Sequence, residues 1–477
     1  ALTDDLRLDI LISAMADGDK RTADACRRVL LRPLVSAGAI AARCGVRADV
    51  AAHARFFGKV MAAAREAADG AARFAEFQKP RYDRVIPHQK KLLTEIGVAR
   101  LYLKALRRIH TLAAGEGGAF QSEAVRRLIE VIRARFSAGN MERMEARLDK
   151  LDSLRQSDDL TLVASVGRGL KPANVMLVSL AEPAAGGRKR QKENGTPIRL
   201  SSTTLIRNAG DVVQSAVYPL LQELTRSNKS LRAFLETLDV QLGFYLGCAR
   251  LRERLAKLGV PLCEPEIAPD ASGITASALR NAALALQEGK APAGNDVCFL
   301  YKRLVLITGA NQGGKTTFLR SVGQAQLMAQ CGMFAAAAAY ACPLYGGLYT
   351  HFPSGEDASR GKGLLDVELE KLSGVVDRIR PRSLLLMNET FQTTMPADAK
   401  YLAELTVQAL LDCGVTVLFV THLYAYAAAR YAAGRGDTLF LRAKRDVNGK
   451  TAYVLREGEP YASASGSALY QEVMGGV

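Results

Sequence analysis

Apolar residues in the first half of the chain recur at spacings of three and four, the period of amphipathic helices. One such stripe runs through Leu92, Ile96, Ala99, Leu103 and Leu106. Faces of this kind predict helices that pack around a shared apolar core rather than a binding surface.

A second stripe follows at Val125, Leu128, Ile132 and Phe136, and Ser122 stands before it. Serine is a residue type that commonly begins a helix, because its hydroxyl accepts a hydrogen bond from a free backbone N–H group. The pattern therefore predicts a helix that begins just after Ser122.

A longer stripe predicts one helix from about Lys229 to Leu258, with Gly259 as its stop. The repeating positions are Leu231, Leu235, Leu238, Leu242, Tyr245 and Ala249. A helix of this length can act as a lever between two parts of the protein, although core packing alone also accounts for its stripe.

Short continuous apolar runs at Leu304–Ile307, Leu384–Met387 and Val415–Val420 characterise the last third of the chain. Such runs are typical of strands that are buried on both faces of a parallel sheet. Residues 160–180 predict one or two further strands, and the basic stretch within 181–200 predicts an exposed loop.

The fold class predicted is therefore all-α plus α/β. A mainly helical domain is expected over residues 1–260. An α/β domain with a mostly parallel sheet is expected over residues 261–477.

A complete G-x-x-x-x-G-K-[ST] pattern, from Gly309 to Thr316, stands directly behind the first apolar run. The order of strand, glycine-rich loop and helix start is that of a phosphate-binding loop, in which backbone N–H groups surround the phosphates. The pattern places Lys315 on the β- and γ-phosphates of ATP and Thr316 on Mg²⁺, with a glycine-rich surface turn as the alternative. The predicted nucleotide contacts are Gly309, Asn311, Gly313, Gly314, Lys315, Thr316 and Thr317.

Polar residues end the other two predicted strands. Asn388 stands where an Asp commonly holds the hydration shell of the metal, and its amide oxygen accepts a hydrogen bond without carrying charge. Glu389 is the only carboxylate of this pair and is the candidate general base for the attacking water. His422 ends the third strand and is interpreted as a γ-phosphate or water contact, with a packed histidine as the alternative.

Three segments in this order resemble motifs of the MutS-type ATPases: Thr308–Arg320, Leu386–Phe391 and Phe419–Leu423. Further short segments that resemble the family are Gln330–Phe334, Thr350–Phe352, Phe440–Ala443 and, more diffusely, the lever-like region after Arg32–Leu34. The Asn-Glu pair resembles a shorter bacterial branch, because the mismatch-repair enzymes have Asp-Glu there.

The resemblance implies ATP hydrolysis with Mg²⁺ and a homodimer formed through the ATPase domain. It also implies a signature segment from one subunit that completes the site of the other, by position near residues 358–363 with Glu368 following. Lys362 or Gly363 falls where the family has a serine that faces the γ-phosphate. A lysine there can replace that contact electrostatically or weaken hydrolysis, so slow turnover is expected.

Mismatch readers of this family carry a Phe-x-Glu wedge in a separate N-terminal domain. The tripeptide occurs here at Phe74–Glu76 and Phe234–Glu236, but both lie inside predicted helices. We therefore expect a protein without the mismatch-reading domain, which binds matched and mismatched duplexes alike.

The net charge of the chain indicates a class of binding partner. The 64 Lys and Arg residues exceed the 48 Asp and Glu residues, for a net charge of +16. This excess favours a polyanionic partner, DNA more than RNA given the resemblance, although an Arg-rich source organism is the alternative explanation. The 8 Cys residues form no C-x-x-C pattern and no apolar run reaches membrane-spanning length, so a cytoplasmic protein without a membrane partner is expected.

These observations favour a MutS-like, dimeric, DNA-associated ATPase. Two other classes stay open from the sequence. One is another ABC-like or SMC-like ATPase. The other is a nucleotide-gated binding module that acts on RNA, ribosomes or a protein partner.

Overall fold

A computed structural model describes residues 2–78, 88–116, 120–153, 160–166, 172–180, 198–200, 210–310, 312–353, 363–392, 394–445 and 451–460. Contacts divide the chain into two compact units. The helical unit comprises His53–Leu242, and the nucleotide-loop unit comprises Ala1–Ala52 together with Gly243–Val477.

Helices make up the described part of the first 153 residues. They are α1 (Leu2–Asp5), α2 (Leu8–Ala16), α3 (Lys20–Leu30), α4 (Ala37–Ala52), α5 (Ala54–Phe77), α6 (His88–Gly115), α7 (Glu123–Arg135) and α8 (Ala138–Ser153). Asp19 begins α3 by accepting the N–H groups of Arg21 and Thr22.

The two predicted helical stripes lie on α6 and α7. All five stripe residues of α6 are buried, and the first four of them pack with Leu148 of α8 in the core of the helical unit. On α7, Val125 and Ile132 are buried while Leu128 is half-buried. The sequence pattern therefore predicted these helices and their inner faces correctly.

A single helix of 48 residues follows, α9 (Gly210–Lys257). It begins well before the predicted start at Lys229, so the predicted bounds were too short at the N-terminal end. Pro219 lies inside the helix, although proline lacks the N–H group that a helix interior uses. In the described ranges, no helix has the length and apolar character that a membrane crossing requires.

Both Phe-x-Glu tripeptides lie in helices of the helical unit, as predicted. Phe74 of α5 packs against α6 so closely that a Cβ added at Gly97 would lie 2.2 Å from its Cε1 atom. The ring of Phe234 on α9 lies 5.9 Å from that of Phe136. Both phenylalanines therefore contribute to helix packing.

A small antiparallel sheet is inserted between α8 and α9. Its strands are β1 (Leu160–Val166), β2 (Pro172–Leu180) and β3 (Ile198–Leu200), in the order β2-β1-β3. The strands predicted over residues 160–180 are thus confirmed. Of the loop predicted at 181–200, residues 181–197 lie outside the described residues. Its last three residues form β3 instead, because they pair with β1.

The rest of the chain alternates strands and helices. The elements are β4 (Glu266–Ile267), β5 (Thr275–Leu279), α10 (Ala282–Glu288), β6 (Asn295–Cys298), β7 (Leu304–Thr308), α11 (Lys315–Gln330), β8 (Ala339–Cys342), β9 (Leu348–His351), α12 (Leu364–Val376), β10 (Leu384–Asn388), α13 (Pro396–Asp412), β11 (Thr416–Val420), α14 (Tyr424–Ala432), β12 (Thr438–Arg445) and β13 (Thr451–Glu457).

The larger sheet of this unit has six strands in the order β13-β12-β7-β11-β10-β9. Strands β9 to β12 and β7 run parallel, and β13 pairs antiparallel with β12. A second, mixed sheet has the order β4-β8-β5-β6. A helical region followed by an α/β domain with one mostly parallel sheet is therefore the observed class.

The three predicted strands form the centre of the larger sheet. Every residue of β7 and β10 is buried, as expected for strands covered on both faces. Helices α13 and α14 supply further buried residues to the same core, among them Val407 and Tyr426.

Residues 1–52 fold with the nucleotide-loop unit. Nε2 of Gln324 donates to the carbonyl oxygen of Leu6 at 2.9 Å, and Nε of Arg320 donates to that of Asp5 at 2.7 Å. Farther along α11, Nε2 of Gln330 donates to the carbonyl oxygen of Leu34 at 2.9 Å. This division by contacts differs from the predicted boundary at residue 260, which places the first helices with the helical domain.

Gly323 of α11 offers a test of this packing. A Cβ there would lie 2.6 Å from Cδ1 of Leu386 and 2.7 Å from Cδ2 of Leu6, and both leucines are fully buried. Because neither side chain has room to retreat, we expect Gly323→Ala to destabilise the unit by about 1–3 kcal/mol. The midpoint of urea unfolding measures this change.

Gly38→Ala on α4 is the matched control, since nothing lies within 4 Å of its added Cβ. It should be neutral or stabilising by up to about 1 kcal/mol, because alanine favours a helix more than glycine does. Equal midpoints for both variants would contradict the packing of Leu6 on α11.

Candidate active site

Three strand ends bring the predicted site residues together. Val420 of β11 pairs with Ile307 of β7 and with Asn388 of β10. Because these strands are parallel, the segments that follow them leave the sheet at the same edge. The phosphate loop, the Asn388-Glu389 pair and His422 therefore lie at one edge of the sheet.

The phosphate loop requires its glycines. Gly309 has φ 123° and Gly314 has φ 82°, a region of backbone conformation that residues with a Cβ rarely adopt. A Cβ at Gly313 would lie 2.7 Å from Cβ of Ala443 on β12. The loop thus packs tightly on β12, and its shape leaves no space for larger residues at these positions.

Lys315 lies at the base of the loop and is only 4% exposed. Its ammonium group donates to the carbonyl oxygens of Gly309 and Ala310, each at 2.8 Å. Burial lowers the pKa of Lys315, and the nearby carboxylate of Glu389 opposes that shift. The Lys315 ammonium group therefore bonds to the backbone of the loop. The sequence pattern places the phosphates of the nucleotide in this same region.

Thr316 and Asn388, the two predicted metal residues, contact each other. The Thr316 hydroxyl donates to Oδ1 of Asn388 at 2.9 Å, and Asn388 is 5% exposed. The amide oxygen thus takes the acceptor role that a carboxylate would fill, without its charge.

Glu389 lies next to His422, with 3.1 Å between Oε1 and Nε2. The hydrogen bond from His422 is the main reason that the pKa of Glu389 is lowered, and partial burial opposes it. The Glu389 N–H group also donates to the carbonyl oxygen of Val420 at 2.7 Å. An ionised carboxylate is therefore fixed at the sheet edge, in the state that a general base needs.

The turn after Glu389 is held by residues from two other elements. Oε1 of Glu368 on α12 accepts the N–H group of Phe391 at 2.8 Å. Nδ1 of His351 on β9 lies 3.0 Å from the Thr390 hydroxyl. His351 was not a predicted site residue, although its position at the end of a parallel strand is a signal that could have identified it.

The predicted signature segment is only partly described. Lys362 lies outside the described residues, as does Asn311 of the phosphate loop. Gly363 immediately precedes α12. Glu368, which was predicted to follow the contact to a second subunit, contacts the Phe391 backbone of its own chain.

A cleft of about 700 Å³ adjoins the phosphate loop. This volume is within the range of about 300–1,000 Å³ that small-molecule sites occupy. Its lining residues, besides those of the loop and the start of α11, are Leu284, Glu288, Lys290, Ala291, Pro292, Ala293, Asn295, Glu389 and Tyr453.

Asn295 fixes the far wall of this cleft. Its side chain donates to the carbonyl oxygen of Tyr453 at 3.3 Å and accepts the N–H group of Leu455 at 2.8 Å. Sequence reasoning did not assign Asn295 or Tyr453 to the site, because the pairing depends on residues about 160 positions apart. The cleft, the glycine-rich loop and the buried Lys315 together fit a phosphorylated ligand.

Comparison with known families gives two matches. Residues 305–458 match the family described as MutS domain V, and residues 36–258 match the MutS2 N-terminal domain. The first match contains the whole phosphate loop, the Asn388-Glu389 pair and His422. The second match contains the whole helical unit.

Curated relatives named "DNA mismatch repair protein MutS" match part of the chain. The protein from Thermus thermophilus is 35% identical over 150 residues, which is 31% of this chain and 18% of the relative. The protein from Psychrobacter cryohalolentis is 28% identical over 184 residues, 37% of this chain and 18% of the relative. That from Thermotoga sp. is 34% identical over 121 residues, 25% of this chain and 15% of the relative. The chain thus aligns with less than a fifth of the length of these relatives.

Proposed function

Because the chain is a MutS-related protein, we propose that its nucleotide-loop unit binds ATP with Mg²⁺ and hydrolyses it slowly. The observation that carries this proposal is the convergence of Lys315, the Thr316–Asn388 pair and the Glu389–His422 pair at one sheet edge. These are the groups that phosphoryl transfer to water requires: a cation, a metal-directed oxygen pair and a base.

In this proposal, the phosphate loop and the start of α11 bind the nucleotide. Backbone N–H groups of Gly313 and Gly314 surround the phosphates, and the positive end of the α11 dipole favours their charge. The Lys315 ammonium exchanges its carbonyl partners for phosphate oxygens, and Thr317 extends the contact. Thr316, and Asn388 through water, would hold Mg²⁺, which would supply positive charge that neutralises the phosphates.

In this proposal, Glu389 and His422 carry out the hydrolysis. The carboxylate accepts a hydrogen bond from the attacking water and draws its proton away as the bond to phosphorus forms. His422 donates to Glu389, which keeps the carboxylate ionised and oriented. From the same position it can also contact the γ-phosphate or the water.

Asn388 gives a second reason, besides the altered signature segment, to propose slow turnover. An Asp at this position would place a second negative charge beside Glu389 and on the metal side of Thr316. Asparagine retains the hydrogen bond to Thr316 and contributes no charge to holding the metal. We therefore expect weaker metal retention and a lower rate than an Asp-Glu pair would give.

Association with DNA and a homodimer through the ATPase domain complete the proposal. The support for DNA is the net charge of +16 and the similarity to relatives named "DNA mismatch repair protein MutS". The support for a dimer is the family relationship. Gly363 and the segment before it remain the proposed contact to the partner's nucleotide.

Two substitutions separate binding from hydrolysis. Lys315→Ala should abolish ATP binding, because the loop loses its side-chain cation. Glu389→Gln should bind ATP normally and lose about 10²-fold or more in turnover, the contribution of a general base. Equilibrium binding of a fluorescent ATP analogue and single-turnover phosphate release measure the two properties.

Glu389→Gln is nearly isosteric with the natural residue, so it serves as the structural control for Lys315→Ala. Unchanged affinity in Lys315→Ala would disprove the site assignment. Full turnover in Glu389→Gln would assign the base to another group.

Asn388→Asp should preserve or raise turnover. Its carboxylate still accepts the Thr316 hydroxyl and adds charge toward the metal. Asn388→Ala is the control, and it should lose activity because Thr316 loses its acceptor. The measurement is turnover as a function of Mg²⁺ concentration, and complete loss in Asn388→Asp would mean that an uncharged group is required.

DNA binding should weaken steeply with salt. Each phosphate neutralised by Lys or Arg contributes a slope of about −0.9 in log K against log salt for duplex DNA. Fluorescence anisotropy with duplex DNA and with RNA, each at several salt concentrations, measures this slope. Affinity that is absent at low salt or independent of salt would exclude the nucleic-acid role and leave a nucleotide-gated module with a protein partner.

A further inference from the structure

The turn that carries Glu389 has an unusual backbone. Glu389 has φ 54° and Phe391 has φ 69°, although neither residue is a glycine. Residues with a Cβ adopt this region at a cost, and they keep it only where neighbouring groups fix the conformation. The direction of the Glu389 side chain therefore depends on whatever holds this turn.

Two hydrogen bonds from outside β10 and β11 hold it. The Phe391 N–H group donates to Oε1 of Glu368 at 2.8 Å, and Phe391 is fully buried. The Thr390 hydroxyl lies 3.0 Å from Nδ1 of His351, and Thr390 is also fully buried. Groups in the interior cannot exchange these partners for water without exposing the turn.

The geometry also defines the state of His351. Its Nε2 atom lies 3.3 Å from the backbone carbonyl oxygen of Glu368, and a carbonyl can only accept. Nε2 is therefore the nitrogen that donates to this carbonyl, and in the neutral ring Nδ1 accepts the hydrogen of the Thr390 hydroxyl. Burial lowers the pKa of His351, which agrees with a neutral ring.

We propose that His351 and Glu368 are positioning residues, which clamp the turn of residues 389–391 so that Glu389 faces the phosphate loop and His422. This inference rests on the proposed hydrolysis by Glu389. The two residues reinforce each other, because His351 contacts the Glu368 backbone while the Glu368 side chain contacts Phe391. Neither is required to touch the nucleotide, so both act on the rate through Glu389.

A matched pair at Glu368 tests the clamp. Glu368→Gln keeps an oxygen that accepts the Phe391 N–H group, whereas Glu368→Ala removes it. We expect Glu368→Ala to lower kcat by about 10–100-fold, the effect of a misplaced catalytic group, with KM for ATP within about twofold of the original. Glu368→Gln should stay within about threefold of the original kcat, because the positioning role needs the acceptor and not the charge.

Hydrogen–deuterium exchange of the nucleotide-free protein gives a readout that does not depend on activity. The peptide that contains residues 388–392 should exchange faster in Glu368→Ala and at the original rate in Glu368→Gln. If the original protein hydrolyses no ATP, the proposed function is wrong. The exchange rates of the two variants still test whether Glu368 holds the turn of residues 389–391. A Gln variant as defective as the Ala variant would overturn the proposal, since it would assign the effect to charge.

His351 supplies an independent pair if Glu368→Ala does not fold. His351→Asn places an amide group near the position of Nδ1, and His351→Leu removes every polar group. We expect exchange at residues 388–392 to rise and kcat to fall in His351→Leu, with partial recovery in His351→Asn. Unchanged exchange and unchanged kcat in His351→Leu would overturn the clamp.

Discussion

The parallel register of β7, β11 and β10 is the constraint on which the candidate site depends. Buried backbone groups must find partners within the sheet, so the pairing of Val420 with Ile307 and Asn388 allows little slippage. A shift of one residue would turn Glu389 toward the opposite face and separate Asn388 from Thr316. The backbone hydrogen bonds between the buried strands thus determine where the polar residues at the sheet edge lie.

The charges at that edge are few and closely matched. Lys315 is buried near the carboxylate of Glu389, and each favours the charged form of the other. Because Asn388 is uncharged, the positive charge of Lys315 and the negative charge of Glu389 offset each other before any ligand binds. Incoming phosphates must therefore be stabilised by the loop backbone, the α11 dipole and a metal ion more than by a surplus of side-chain cations.

Sequence patterns predicted the three central strands and the polar residues that follow each of them. Strands buried on both faces are continuous apolar runs, so the polar residues at their ends are easily located. The patterns did not reveal the wall formed by Asn295 and Tyr453, which depends on a long-range pairing. They also placed the start of α9 at Lys229, whereas the helix begins at Gly210. Glu368 was recognised by its place after the signature segment, but its hydrogen bond to Phe391 depends on tertiary packing that no local pattern encodes.

The folding of residues 1–52 onto α11 has a consequence for synthesis. Arg320 and Gln324 bond to carbonyl groups of Asp5 and Leu6, which precede them by 315 and 318 residues. At roughly 5–20 residues per second, a ribosome completes α11 some 15–60 s after the first helices emerge. During that interval the carbonyl groups of Asp5 and Leu6 lack the α11 side chains that bond to them, although α2 already has α3 to pack against. The nucleotide-loop unit can be completed only after all residues of the helical unit have been synthesised, so its folding requires contacts of high sequence separation, which form slowly.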